Sequence, residues 1–106
     1  MKLEERMRLK VSVTQEDIDM GESHPSSCPI ARAVKRDLGG TNVQIHYGCG
    51  IVLLKDEDEN VYKYYNILIT PEAEHFMVRF DGIGRDSVYP QEFELEFVKT
   101  GGWCDA

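Results

Sequence analysis

The chain has 106 residues, 42% of them hydrophobic and 29% charged, which is room for one domain with a modest core and for no second one. Twelve basic against nineteen acidic residues give a formal charge of −7, which disfavours nonspecific binding to DNA or to an anionic membrane. The apolar runs are too short for a membrane-spanning helix or a secretory signal, and three cysteines are too few, and odd in number, for a disulfide framework, so a reducing cytoplasmic setting is expected.

Charge is divided unevenly. Residues 1–40 hold seven basic and seven acidic groups, whereas residues 41–106 hold five basic and twelve acidic ones. Leu9, Val11 and Val13 alternate with Lys10 and Ser12, the period of a half-buried strand. Thr14, with Asp17 three residues on, predicts an N-cap and capping box for a short helix that stops at Gly21. Residues 22–27 collect Ser, His and Pro and read as a loop. Pro29 suits the first position of a second helix, where an N–H would have no helical partner. Ile30, Ala33, Val34 and Leu38 recur at helical spacing and would face the core, with Gly39 and Gly40 as the stop. Arg32, Lys35 and Arg36 then share one outer stripe.

Val43, Ile45 and Tyr47 alternate with polar residues as a strand does, and Gly48-Cys49-Gly50 interrupts it as a turn or bulge. Residues 51–54 resume an apolar strand, 56–60 form a charged turn, and 61–69 form a long strand with three tyrosines, so a hairpin is expected. Thr70-Pro71 starts a third helix. In it Ala73, Phe76, Met77 and Phe80 fall at i, i+3, i+4 and i+7, the clearest helical stripe in the chain, and Gly82 and Gly84 stop it. Finally Phe93, Leu95 and Phe97 alternate with Glu92, Glu94 and Glu96 in a strand with one apolar and one acidic face. The order β-α-α-β-β-β-α-β predicts a single α+β domain, a mostly antiparallel sheet with its helices on one face.

Two stretches carry a resemblance. Val11-Ser12-Val13-Thr14-Gln15-Glu16-Asp17-Ile18-Asp19-Met20-Gly21, followed by Cys28-Pro29-Ile30-Ala31-Arg32-Ala33, resembles the opening of a family of small uncharacterised bacteriophage and prophage proteins. Residues 71–81, followed by Val88, Pro90 and Phe93-Glu94-Leu95, resemble its close. Gln91 departs from the pattern, standing where an aromatic residue is expected, and the middle hairpin has no counterpart in it. The resemblance implies a mobile-element origin and a cytoplasmic setting in a bacterial host. It brings no catalytic residues.

No constellation points to a reaction centre. Cys49 lies between glycines, three residues after His46, but a nucleophilic thiolate also needs an oriented base, and no third group is at hand to orient His46. We read Cys49 as a small packed residue. Cys28, Cys49, Cys104, His24, His46 and His75 lack the paired spacing of zinc ligands. Residues 56–60 begin like a calcium loop, yet Val61 stands where glycine is needed and Ile67 where glutamate is needed. Gly82-Ile83-Gly84-Arg85 follows a helix rather than a strand and is no nucleotide fingerprint. No catalytic residue, metal or cofactor is therefore expected.

Binding is the remaining class. Glu92, Glu94 and Glu96 would stand about 7 Å apart on one strand face. They either guard an edge strand or meet a basic surface, where long-range attraction speeds association. Tyr62 and Tyr64 share a face opposite Tyr65, so at least one face should expose aromatic anchors. The expected function is non-enzymatic engagement of a host protein with a basic surface, a defence or nucleic-acid-handling factor, through Glu92, Glu94, Glu96, Tyr62 and Tyr64, with no direct contact to nucleic acid or membrane. The alternative is an anionic small molecule, phosphorylated or a nucleotide, held by Arg32, Lys35, Arg36 and Ser27. The long strand over 61–69, if it lies at a sheet edge, leaves room for a homodimer.

Overall fold

A computed structural model describes residues 2–100. The elements run β1 (Arg6–Val13), α1 (Gln15–Met20), α2 (Pro29–Leu38), β2 (Thr41–Ile45), β3 (Cys49–Asp56), β4 (Val61–Leu68), α3 (Pro71–Gly82), a short 3-10 turn (Arg85–Ser87) and β5 (Gln91–Thr100). This is the α+β order that alternation and capping signals predict. The caps form as local chemistry requires. Thr14 Oγ1 accepts from Asp17 N at 3.2 Å while Asp17 Oδ2 accepts from Thr14 N at 3.0 Å, closing both arms of the capping box. Thr70 Oγ1 accepts from Ala73 N at 3.2 Å. At α2 the cap is Cys28, whose sulfur accepts from Ala31 N at 3.4 Å. Gly39 ends α2 at φ 64°, a left-handed turn that a Cβ would strain.

The five strands form one sheet in the order β1-β5-β4-β3-β2, antiparallel at every pairing. The last strand inserts between the first and the fourth. This corrects two expectations. β5 is an interior strand, so its glutamates guard no edge. β4 is the middle strand, paired with β3 along its length and with β5 over residues 64–68, so it is not the sheet edge that a second copy would need. Both expectations rested on composition along the chain, which says nothing about which strands become spatial neighbours.

The two real edges, β1 and β2, are partly covered. Ser12 N donates to Asp37 Oδ2 at 2.7 Å, and Ser12 O accepts from Arg36, so α2 caps the outer side of β1. Ile45 N donates to Pro25 O at 2.9 Å, so the loop before α2 caps the outer side of β2. Blocked backbone groups cannot template a further strand.

All three helices lie on one face of the sheet and share one core. Val11, Val13, Val52, Tyr65, Leu95 and Phe97 rise from the strands to meet Ile18, Ile30, Val34 and Phe80 from the helices. Phe76 of α3 packs edge-on against Phe93, with ring centroids 5.5 Å apart, the arrangement that ring quadrupoles favour. Because side chains alternate across a strand, the residues between these core positions form an opposite face that no helix among the described residues covers.

The turn joining β3 to β4 is built around Asp56, which is buried rather than solvated. Its Oδ1 accepts from Asp58 N at 3.0 Å and Glu59 N at 3.4 Å, and Lys63 Nζ sits 3.1 Å from Oδ2. The Lys63 hydrogen bond, against the opposing effect of burial, holds this carboxyl below the usual carboxylate range.

Candidate functional site

The open face of the sheet divides into a charged half and an apolar half. On the charged half, β1 presents Arg6, Arg8 and Lys10 beside the glutamates of β5. The pairs are Arg6–Glu96, Arg8–Glu94 at 3.9 Å and Lys10–Glu92 at 3.6 Å. The register sets Arg8 opposite Glu96 and Lys10 opposite Glu94, so each ion pair is a diagonal one, which long side chains can span. The expected row of outward carboxylates is thus neutralised within the chain. The cause is the insertion of β5 beside β1, which brings the net-neutral first part of the sequence against the acidic second part. These pairs are solvent-exposed and their net worth is small. Glu94→Gln is expected to change the free energy of unfolding by less than about 1 kcal/mol, read from urea midpoints at low salt; a larger loss would mean that the ladder holds β1 in place.

On the apolar half, Tyr62 is 60% exposed, Leu68 41% and Tyr64 39%. Tyr64 lies across from Leu53 on one side and Thr100 on the other, and Leu68 lies across from Cys49 and Glu96. Leu53 and Val98 are half-buried on the same face. Tyr65 points the other way, is fully buried, and donates its hydroxyl to Glu4 O at 2.7 Å. Of the five residues expected to form a docking surface, the two tyrosines are therefore presented outward together, whereas the three glutamates lie toward the other end of the sheet, the nearest, Glu96, across from Leu68, each with a partner of its own.

The alternative set also converges. Ser27, Arg32, Lys35 and Arg36 line one open groove with residues 14–17. Their donors, however, turn inward. Arg36 Nη1 reaches both oxygens of Asp17, at 2.7 and 2.8 Å. Arg32 Nε lies 3.5 Å from the same carboxylate, and Lys35 Nζ donates to Ser26 O. Asp17 is 1% exposed. Burial pushes its carboxyl up, but the Arg36 hydrogen bond, the Thr14 backbone N–H and the Arg36 charge together hold it below the usual range. Helical spacing placed the three cations on an outer stripe; α1 packs against Arg32 and Arg36 and makes them an inter-helix joint, while Lys35 ties α2 to the loop before it.

A third place was not legible in the sequence. Cys28, Ile30, Ile45, Phe76, Met77 and Phe80 wall a cavity of about 110 Å³ between α2, α3 and the end of β2. Across its mouth, Tyr47 donates its hydroxyl to Asp81 Oδ2 at 2.6 Å. That hydrogen bond, with burial second, pushes the Tyr47 phenol up to about 12, so it stays protonated as the donor. Burial pushes the Cys28 thiol up as well, which keeps it neutral and unreactive. The walls belong to two helical stripes that read simply as core. Tyr47 and Asp81 are thirty-four positions apart, and neither carries a local signal that joins them.

Cys49 is disulfide-bonded and so lacks the free thiol that a nucleophile requires, a departure from the expectation of a chain without disulfides. Among the described residues, no three His, Cys, Asp or Glu side chains gather as a metal site would need, and no helix is long and apolar enough to cross a membrane. The chain matches no family model, no curated protein and no solved structure.

Proposed function

We propose that this protein is a non-enzymatic binding module that docks a partner protein on the open face of its sheet, with Tyr62 and Tyr64 as the anchors. One observation carries the reading: Tyr62 and Tyr64 stand exposed next to each other, with Leu68 exposed further along the same strand, on a sheet face that no helix among the described residues covers. Tyrosine buries a large apolar area at low entropic cost and keeps a hydroxyl for a polar partner, which is why it recurs in interface hot spots. The charge of −7 favours a basic partner through long-range steering, while the local contact is aromatic rather than acidic. The resemblance to phage and prophage proteins supports a mobile-element origin, a bacterial cytoplasmic setting and a host defence or nucleic-acid-handling factor as the target, although the Cys49 disulfide is of a kind rare in that compartment.

The test is comparative capture from bacterial lysate with wild type, with Tyr62→Ala/Tyr64→Ala, and with Glu94→Gln. The expected result is a stoichiometric partner that survives Glu94→Gln and is lost with the tyrosine pair. The expected loss in affinity is about a thousandfold, since two hot-spot residues each contribute roughly 2 kcal/mol or more. Equal capture by wild type and the tyrosine pair overturns the proposal, as does the absence of any stoichiometric partner.

A further inference from the structure

We infer that the cavity between α2 and α3 is a binding site for a small primary amine that carries a ring or a branched apolar group. The cavity is separate from the open sheet face and lies on the helical side of the molecule.

Its walls set the body of the ligand. Ile30, Ile45, Phe76, Met77 and Phe80 offer almost nothing but hydrocarbon, sulfur and ring faces. A cavity of about 110 Å³ is close to the space that takes one benzene-sized group in an apolar protein interior, roughly 150 Å³. Pockets of this make-up, apolar with a few convergent polar groups, are the usual form of small-molecule sites.

The mouth sets the head group. Asp81 is exposed, and its Oδ2 accepts the Tyr47 hydroxyl at 2.6 Å. A carboxylate accepts several hydrogen bonds, so the group retains capacity toward the opening. No lysine or arginine lines the cavity; its basic groups are the imidazoles of His24 and His46, with His24 Nδ1 2.9 Å from Ser26 Oγ and His46 Nε2 3.4 Å from Gln44 Oε1. An ammonium, by contrast, would meet the Asp81 carboxylate and two aromatic walls. The excess of negative charge on the chain draws a cation in and repels an anion. An apolar body with a protonated amine satisfies walls and mouth together.

The experiment titrates methionine-methyl-labelled protein with benzylamine, benzyl alcohol and benzoate and follows the Met77 methyl signal. Benzylamine is expected to shift Met77 saturably while Met7 and Met20 stay in place, benzyl alcohol to bind more weakly, and benzoate not to bind. Asp81→Asn, a change at an exposed position, is expected to weaken benzylamine about tenfold or more and to leave benzyl alcohol unchanged. Raising salt to about 0.5 M, where screening acts within a few ångströms, is expected to weaken benzylamine alone. No shift of Met77 at millimolar benzylamine overturns the inference. So does benzoate binding as tightly as the amine, or Asp81→Asn holding benzylamine as tightly as wild type.

Discussion

Asp17→Ala should cost roughly 3 kcal/mol of stability, the low end of what is lost when one member of a buried ion pair is removed. The carboxylate is 1% exposed and joins three things at once: the Thr14 backbone N–H at 3.0 Å, the Arg36 guanidinium at 2.7 Å and Arg32 at 3.5 Å. Its loss opens the capping box of α1 and releases α2 from it. The Arg36 side chain is 43% exposed, so water relieves part of the stranded charge, which is why the low end applies. The same carboxylate makes stability depend on pH. Its pKa is lower folded than the unfolded value of 3.8, so the folded state binds fewer protons. Its contribution is complete above that value and is lost as pH falls below it through the folded pKa. Urea unfolding of Asp17→Ala against wild type at pH 7 checks the first point, and of wild type and Asp17→Asn across pH 7 to 2 the second. The gap between the two should be widest near neutrality and should close at the acid end; a gap constant with pH would contradict the assignment.

The second large effect separates two tyrosines that stand three positions apart. Tyr65→Ala should cost about 3–5 kcal/mol, the range for emptying a buried aromatic site, because its ring is fully buried and its hydroxyl holds Glu4 O at 2.7 Å. Tyr62→Ala should cost less than about 0.5 kcal/mol, as surface changes do, because that ring is 60% exposed. Thermal and urea unfolding measure both. Binding should rank them in the opposite sense: Tyr62→Ala impairs capture of the partner in a fully folded protein. If Tyr62→Ala proved as damaging to stability as Tyr65→Ala, the open face would be a covered one, and the docking proposal would fail with it.

Much of the fold was legible because its signals are local. Thr14 with Asp17, Thr70 with Pro71, and the stripe of Ala73, Phe76, Met77 and Phe80 each lie within one or two helical turns, and the structure places α1, α2 and α3 where they indicate. The face assignment of Tyr62, Tyr64 and Tyr65 was legible too, since strand alternation has no free parameter. What escaped was every property that depends on strand order. Glu92, Glu94 and Glu96 read as an unpartnered acidic row because the one lysine close to them in sequence, Lys99, falls on the other side of the strand alternation; their partners come from residues 6–10. Arg32, Lys35 and Arg36 read as a solvated stripe because a single helix does not announce what packs against it. The Tyr47–Asp81 contact combines both difficulties, joining a hairpin turn to the end of a helix.

The pairing of β1 with β5 also bears on how this domain comes to exist during synthesis. β1 precedes the other described elements and its partner strand follows them, so β1 has no ladder to join while β2, β3 and β4 can already zip as neighbouring hairpins. Closing so long a loop is the slow kind of step in folding. Until it happens, the apolar side of β1 and one flank of β4 stay open to chaperones and to aggregation. On contact order, the meander of β2, β3 and β4 is expected to form before residues 91–100 pair with β1.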